Sequence, residues 1–581
     1  MKVSPSTSPQ KTAIPPPTRD LLSPLTFSLA AIAIILAIIA AYSPALKYQF
    51  ILDDHRFVND PRVQTAGHVW DYFTNYVWAQ FTGGPSSFYR PIFVLWMRLN
   101  FILSEMSPWG WHLLSIAKHL LVAVLLGTLV WRLLRDRTAA LLAGALFALH
   151  PAQTESVAWV TVPDPLMAAA ILGSVLLYLK YAESSANTTP STTKSSRKSR
   201  KDRKAPKQGH SVVGWLIGSV FVFMMALLSK ETAIVLLPIL FAIAVFVPAD
   251  KSNGPGTGTN DITSSRTRLL GAFRRTLPFL CATLIYFALR FNALSLIFGA
   301  RTQNLPLSTV LLSAPAILWF YVRVLLWPVR IYAFADPIEV ATFSLRGVLL
   351  PALGVVCVAL VLAYGSIRAW RNARRELNSR EAVGAACALA IGWLTLLLPI
   401  LLTLNLNALN PGDFLHGRYT YLPLAGLMLL LATMWHFAGR LRFLLLLAAG
   451  LLAIVFAVFT VKQESIWKDD LTVFTVAHEI APHNAPVALN LARAHVQAAI
   501  ALGDAGHCDE AVPTFNQVIK DYPKDWFAWA GLGQCLFELN DLPKAEQSLH
   551  RAVELSHDPR ITQEWQELRA QMGLSPSAPP N

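Results

Sequence analysis

The sequence predicts an all-α fold, in which a polytopic bundle of about 11 to 12 transmembrane helices precedes a short tetratricopeptide-repeat α-solenoid. Of the 581 residues, 54% are hydrophobic and 14% are charged, whereas a soluble domain carries about 25% charged residues. Apolar runs of about 17–25 residues recur up to residue 461, and each can cross roughly 30 Å of hydrocarbon as a helix. Beyond that point a period of 34 residues begins, which is the tetratricopeptide period. These observations exclude a soluble globular protein.

The first apolar run follows a polar stretch, residues 1–20, which is rich in Pro, Ser and Thr and which we expect to be disordered and cytoplasmic. Residues 21–45 are too long for a signal-peptide core of about 7–15 residues, so they predict the first transmembrane helix. A polar first outer loop, 47–111, comes next. The further candidate spans are 112–134, 138–150, 165–182, 212–229, 232–248, 274–292, 307–328, 347–368, 384–404, 419–437 and 441–461.

Basic loops set the predicted topology, because Lys and Arg in short loops favour the cytoplasmic side. The densest is KSSRKSRKDRKAPK, residues 194–207. The basic loops cannot all be cytoplasmic if every candidate crosses, so one segment must be re-entrant or interfacial. We select 307–328, which Tyr321 and Arg323 interrupt. Eleven crossings then place the repeats and the 47–111 loop on the outer side.

The membrane domain is predicted to occupy residues 21–461 and the repeat domain residues 462–581. Three pairs of residues in the repeat domain lie 34 positions apart: Ala511 and Ala545, Phe515 and Leu549, and Val518 and Ala552. Two copies and a final amphipathic helix near 561–572 fall below the usual minimum of three repeats. We therefore expect the repeats to dock on the membrane domain.

The charge of the chain is divided unevenly between these parts. Residues 462–581 hold 9 basic and 16 acidic residues, a net charge of −7, and the preceding residues carry +21. Because the basic excess lies in loops between apolar spans, it indicates membrane orientation. Nucleic acid is not an expected partner.

Cysteine and histidine patterns do not predict a disulfide framework or a zinc site. Five cysteines occur without CxxC spacing: Cys281, Cys357, Cys387, Cys508 and Cys535. Walker, dinucleotide-binding and HExxH patterns are absent from the sequence. A loose HExxxH, with His478, Glu479 and His483, has the wrong spacing for zinc.

An acidic pair, Asp53 and Asp54, lies just beyond the first span in the sequence FILDD. A carboxylate at the membrane surface can act as a general base or metal ligand between a lipid-borne and a water-borne substrate. The alternative is a loop that carries solvated acids after the helix.

Arginines follow in SFYRPIFVLWMRLNF, where Arg90 stands between Tyr89 and a proline and Arg98 comes eight residues later. The guanidinium fork suits phosphate, and aromatic rings at an interface suit sugars and acyl chains. The alternative is an interfacial helix whose arginines extend to the membrane surface.

Further ionisable residues stand between apolar spans, where they usually have a function or a partner. His150, Glu155 and Asp164 lie in HPAQTESVAWVTVPDP. Lys230 and Glu231 lie in LLSKETA, as a site or as an internal ion pair. The segment HGRYTYLPLAG supplies further candidates for a phosphate site: Arg418, Tyr419 and Tyr421.

The ordered set FILDD, YRP, HPAQTESVAW, LLSKE and GRYTYLPLAG, followed by tetratricopeptide repeats, resembles the transmembrane and tetratricopeptide repeat-containing O-mannosyltransferases and their bacterial relatives. These belong to the GT-C superfamily of polytopic glycosyltransferases. The resemblance covers nearly the whole chain. It departs from the family pattern at VTVPDPL, where only Asp164 matches, and at Gly417, where the family has Glu.

This resemblance implies a bacterial inner-membrane enzyme whose active site and repeats face the outer side. It implies transfer of a hexose, such as mannose, from a polyprenyl-phosphate sugar to a protein or glycan hydroxyl. Asp53 or Asp54 is then the catalytic aspartate, and Arg90, Lys230 and Arg418 hold the donor phosphate. No nucleotide or redox cofactor is expected, and the resemblance leaves open whether a divalent metal takes part. A membrane-anchored scaffold without catalysis and a transporter are the two alternatives.

Overall fold

The computed structural model describes residues 21–79, 88–188, 208–247, 261–295, 303–328, 336, 338–376, 379–408, 415–502, 506–521, 523–556 and 559–574. Throughout these ranges the regular structure is helical and no strand occurs. The predicted all-α fold is confirmed. The predicted disordered segment 1–20 and the basic loop 194–207 lie outside the described residues.

The membrane part contains seventeen of the described α-helices. They are α1 (Pro24–Tyr42), α2 (Asp54–Val58), α3 (Pro61–Gln64), α4 (Val69–Thr74), α5 (Pro91–Ser104), α6 (Pro108–Leu134), α7 (Arg137–Ala148), α8 (Thr154–Ala158), α9 (Asp164–Thr188), α10 (Gln208–Ser229), α11 (Leu236–Phe246), α12 (Asp261–Leu294), α13 (Leu307–Leu326), α14 (Leu350–Glu376), α15 (Ser379–Leu402), α16 (Tyr421–His436) and α17 (Arg442–Glu464). Helices α2 to α5 lie within the predicted outer loop.

Nine helical segments in the described ranges are long and apolar enough to cross a membrane, so the chain is an integral multi-pass membrane protein. Three of the twelve predicted spans are shorter: α7 has 12 residues, α11 has 11 and α16 has 16. Helix α13 runs unbroken for 20 residues and is one of the nine segments long enough to cross, and the re-entrant or interfacial course expected for 307–328 stays a prediction. The predicted and observed spans differ in length because polar motifs end the helices, and hydropathy alone does not locate those ends.

Helix α16 forms the centre of the bundle. Nearly all of its residues are buried, as expected for a helix that is apolar on every side. At Gly426, an added Cβ would lie 2.5 Å from the Leu396 backbone nitrogen and 2.6 Å from the Gly392 carbonyl oxygen on α15. Small residues therefore allow α15 and α16 to touch through their backbones. By contrast, the crossing windows of α1, α14 and α17 are only 17%, 6% and 11% buried, which suits lipid-facing helices.

The C-terminal part is a stack of antiparallel helices with its own core. They are α18 (Asp470–Ile480), α19 (Ala485–Leu502), α20 (Gly506–Asp521), α21 (Trp526–Glu538), α22 (Leu542–Ser556) and α23 (Pro559–Gln571). The residues 34 positions apart occupy equivalent buried sites, since Phe515 on α20 and Leu549 on α22 are 0% and 3% exposed. Gly531 and Gly533 on α21 leave room for these two side chains.

A disulfide joins Cys508 on α20 to Cys535 on α21, with an S–S distance of 2.24 Å. The expectation that the chain lacks a disulfide was therefore wrong. The two cysteines are 27 positions apart and meet only when the helices pack. Disulfides persist in oxidising compartments.

Loss of this disulfide is expected to destabilise the repeat domain by roughly 3 kcal/mol, the chain-entropy value for a loop of this length. Cys535→Ser should therefore lower the unfolding temperature of the repeats. Hydrogen exchange of the repeat helices in the full chain measures this change. Cys387→Ser is the control, because Cys387 is buried in α15 as a free thiol. Intact mass should rise by two hydrogen atoms on reduction. An unchanged mass would contradict the pairing.

Candidate active site

Charged residues from five separate segments converge where helices of the membrane domain end. Asp164 begins α9, and Lys230 directly follows α10. Arg90 precedes α5, Glu155 lies in α8, and Arg418 lies in a 3₁₀ turn just before α16. The polar motifs therefore form one layer at the ends of apolar helices.

Two ion pairs bind this layer together. The Arg90 guanidinium donates from Nε and Nη2 to the two Glu231 oxygens at 2.9 and 2.6 Å. Lys230 Nζ donates to both Asp164 oxygens at 2.7 Å, and both side chains are buried. The adjacent residues Lys230 and Glu231 thus each pair with a distant residue, Asp164 and Arg90 respectively.

The third group is centred on Glu155, which is 3% exposed. Its carboxylate accepts from His416 Nδ1 and from the Arg418 backbone N–H, each at 3.0 Å, and lies 3.5 Å from Arg418 Nη1. Burial raises the pKa of Glu155, but His416 and Arg418 outweigh that effect and hold the pKa below its usual value. Glu155 is therefore an anion that orients Arg418.

Gly417 explains how Glu155 reaches this position. A Cβ at residue 417 would lie 3.1 Å from Glu155 Oε2, so a larger residue would force the carboxylate to move. In the folded chain the carboxylate beside Arg418 comes from Glu155, in a segment more than 250 residues away.

Tyr419 connects the three groups. Its ring centroid lies 5.1 Å from Lys230 Nζ and 5.5 Å from Arg418 Cζ. The Arg418 guanidinium also lies 4.7 Å from the Trp159 ring centroid. Lys230 interacts electrostatically with both Arg90 and Arg418, and Arg90 interacts with Asp164 and Tyr419. We call these three cations, with their carboxylate and aromatic neighbours, the cation cluster.

The two residues of the acidic pair, Asp53 and Asp54, lie in different environments. Asp54 is fully buried and accepts from the Thr161 N–H at 3.1 Å, the Thr161 hydroxyl at 2.7 Å and the Ile51 N–H at 3.2 Å. Burial raises its pKa to about 7, although these hydrogen bonds oppose the rise. The Asp53 side chain is 39% exposed and lies 3.9 Å from Arg56. Asp54 therefore anchors the loop, and Asp53 is the accessible carboxylate.

Thr161 brings the acidic pair next to the cation cluster. It lies between Trp159, which contacts Arg418, and Asp164, which pairs with Lys230. One short segment thus joins the carboxylate loop to two of the three cations, Arg418 and Lys230.

The repeat domain clamps the same loop. Asp470, the first residue of α18, accepts from the Leu52 N–H at 2.8 Å and from His55 Nε2 at 2.9 Å. Gln49 N–H donates to the Lys468 carbonyl, and the Trp467 and Trp159 rings stack with centroids 6.3 Å apart. Leu52 has a left-handed φ of 53°. The repeats therefore dock on the side of the membrane domain that carries the acidic loop.

This clamp predicts a pH dependence. The hydrogen bond with Asp470 raises the pKa of His55, so the ion pair stabilises the fold fully below about pH 6.5 and is lost as the pH rises through the raised pKa. Asp470→Asn should therefore lower the melting temperature more at pH 6 than at pH 9. Asp469→Asn is the control, because Asp469 caps α18 through Thr472 and asparagine caps equally well. Equal losses at both pH values would contradict the role of His55.

Four predicted candidates lie outside the cation cluster. The hydroxyl of Tyr421 is buried and hydrogen-bonds His119 Nδ1 at 2.8 Å. The Tyr89 hydroxyl donates to the Phe73 carbonyl, and Arg98 donates to the Val63 carbonyl inside the outer-loop subdomain. His150 hydrogen-bonds the Leu325 carbonyl at 3.1 Å. These residues stabilise the fold around the site.

Sequence reasoning missed His416, Trp159, Thr161 and Asp470 as members or neighbours of the site. The first three stand inside the motifs HGRY, VAW and VTVP, so their place in these motifs could have indicated that they lie at the site. Asp470 had none, because its contact with the loop spans 418 positions. In the described residues, the acidic pair is not part of a group of three or more side chains spaced for a metal ion.

The chain is similar to known proteins over most of its length. A family model for the tetratricopeptide repeat matches residues 496–558. The chain is 26% identical to "Protein O-mannosyl-transferase TMTC1" of Homo sapiens over 85% of this chain and 55% of the relative. It is 24% identical to "Protein O-mannosyl-transferase TMTC3" of Mus musculus over 90% of this chain and 54% of the relative. The predicted resemblance is confirmed.

The chain spans about half the length of these curated relatives. Among solved structures, the apo oligosaccharyltransferase of Archaeoglobus fulgidus aligns with a TM-score of 0.40 and 15% identity, over 80% of this chain and 59% of that chain. Apo ArnT from Cupriavidus metallidurans aligns with a TM-score of 0.37 and 14% identity, over 90% and 78%. Similarity at this level supports no conclusion about mechanism.

Proposed function

We propose that this protein is a membrane glycosyltransferase that moves a hexose from a polyprenyl-phosphate donor to a protein hydroxyl. The hexose that we propose is mannose. The observation that carries the proposal is the cation cluster at the ends of membrane helices, which the segment 159–164 links to the loop that carries Asp53 and Asp54. Similarity to O-mannosyl-transferases over most of the chain supports the same activity.

In the proposed reaction Asp53 takes the proton of the acceptor hydroxyl while the hydroxyl oxygen attacks the anomeric carbon. The bond between that carbon and the phosphate oxygen breaks, and its electron pair stays on the polyprenyl phosphate. Arg90, Lys230 and Arg418 stabilise the charge that develops there. Their fixed carboxylate partners hold the cations in position before the donor arrives. A single displacement inverts the anomeric configuration.

An apolar cavity suits the isoprenyl chain of the donor. It lies between α13, α14 and α15 and is lined by side chains such as Leu325, Val358 and Trp393. Tyr321, one turn before Leu325, interacts electrostatically with Arg418 and Tyr419. A lipid held in this cavity therefore has a short path to the cation cluster.

We further propose that the site and the repeats face the outer side of a bacterial inner membrane, where a disulfide persists. Lys524 is exposed on the turn before α21. In a background without Cys281, Cys357 and Cys387, Lys524→Cys should react with an impermeant thiol reagent in intact cells. Protection of that thiol until the cells are opened would contradict an outer location.

Donor turnover tests the proposed activity. Purified protein in liposomes is incubated with a panel of labelled polyprenyl-phosphate sugars and with the matching nucleotide sugars. We expect consumption of at least one lipid donor and of no nucleotide sugar. Turnover of a nucleotide sugar alone, or of no donor at all by folded protein, would contradict the proposal, and the second result would favour a scaffold.

A further inference from the structure

The first helical pair of the repeat domain holds a cluster of metal-type side chains that the proposed reaction does not use. His495 lies on α19, and His507 and Glu510 lie one turn apart on α20. One ligand atom of each lies within 4.8 Å of the others. The cluster is therefore contributed by two packed helices.

His495 has an unsatisfied ring nitrogen. The residue is 8% exposed, and its buried Nδ1 has no hydrogen-bond partner. That nitrogen lies 3.4 Å from Glu510 Oε2, and the rings of His495 and His507 have centroids 5.9 Å apart. A buried polar atom without a partner is costly, and a ligand at the centre of the cluster would satisfy it.

Two imidazoles and one carboxylate form a ligand set suited to zinc. Zn²⁺ binds histidine nitrogen and carboxylate oxygen at about 2.0–2.2 Å, so tetrahedral ligand atoms stand roughly 3.4 Å apart. The present spacing needs only a small closing movement, which the exposed Glu510 side chain permits. Calcium and magnesium prefer sets made of oxygen atoms. The chemistry therefore favours a divalent transition metal.

We propose that His495, His507 and Glu510 bind one Zn²⁺ ion, with water as the fourth ligand, and that this ion joins α19 to α20. The disulfide already joins α20 to α21. The two links would brace a repeat array that has fewer copies than usual. The proposed role is structural and is independent of the glycosyltransferase proposal.

Zinc binding to the purified full-length protein in detergent tests this proposal. Metal-free protein is titrated with Zn²⁺ against a chromophoric chelator, and the melting temperature of the repeats is measured with and without Zn²⁺. We expect one ion per chain at this site and a higher melting temperature with the ion bound. His507→Gln and Glu510→Gln should each weaken binding at least about tenfold, since even outer partners of metal ligands have effects of that size.

His507 and Glu510 are the two more accessible ligands of the cluster. Replacing them leaves the packing around the buried His495 unchanged. His483→Gln is the matched control, because His483 is exposed in the same domain but outside the cluster. It should bind Zn²⁺ like the unaltered protein. Absence of Zn²⁺ binding, or equal binding by the Glu510→Gln and unaltered proteins, would overturn the proposal.

Discussion

Replacement of Asp53 by asparagine is expected to lower the rate of sugar transfer by roughly 10²–10⁴-fold, the usual contribution of a general base. The side chain is 39% exposed, so the fold does not depend on its burial. Donor binding and the melting temperature should stay close to those of the unaltered protein. The measurement is initial-rate transfer at saturating donor, with thermal unfolding in parallel.

Asp71→Asn provides a matched control for this variant. Asp71 lies in the same outer loop, is 43% exposed, and pairs with His68 three residues earlier, as Asp53 pairs with Arg56 three residues later. Its replacement should leave transfer nearly unchanged. Full activity of Asp53→Asn, or an equal loss in both variants, would remove Asp53 from the mechanism.

Asp54→Asn is expected to act differently, through the position of the loop. Its carboxylate accepts three hydrogen bonds, and an amide places a donor where one of those N–H or O–H groups points. The melting temperature should therefore fall together with the rate. A rate loss without any loss of stability would instead make Asp54 the base.

Replacement of Lys230 by glutamine is the second change with a large expected effect. It removes one cation from the proposed phosphate site and leaves Asp164 buried without its partner. Breaking a buried pair in this way costs about 3–5 kcal/mol, so Lys230→Gln should lose both folded protein and transfer.

A double variant separates these two losses. Lys230→Gln combined with Asp164→Asn restores electrical neutrality, and the two amides can hydrogen-bond in place of the ion pair. We expect the folded yield to recover, while transfer stays about 10²–10³-fold low because a group that stabilises the departing phosphate is missing. Recovery of transfer in the double variant would make this pair structural only.

Most candidate motifs stand between apolar runs, and Arg90 stands out by its place between an aromatic residue and a proline. The structure brings Lys230, Asp164, Arg90 and Arg418 together, and their roles stay predictions. The pairing pattern was not predictable, since neighbours in sequence suggest Lys230 with Glu231, whereas helix packing pairs each with a distant residue.

The remaining differences arise from contacts between distant segments. The role of Gly417 depends on the position of Glu155, and the disulfide depends on the packing of two repeat helices. Neither of these contacts produces a residue spacing that can be recognised in a single sequence. The shorter spans, such as α7, depend on where polar residues end a helix inside the bundle.

Formation of a glycosyl peptide from a lipid donor tests the central claim most directly. Purified protein in liposomes is given a labelled polyprenyl-phosphate mannose of known anomeric configuration and a peptide rich in Ser and Thr. We expect label on the peptide, release of one polyprenyl phosphate for each sugar transferred, and an inverted anomeric configuration in the product. A labelled peptide of retained configuration, or folded protein that transfers no sugar from any polyprenyl-phosphate donor, would contradict the mechanism proposed for Asp53 and the cation cluster.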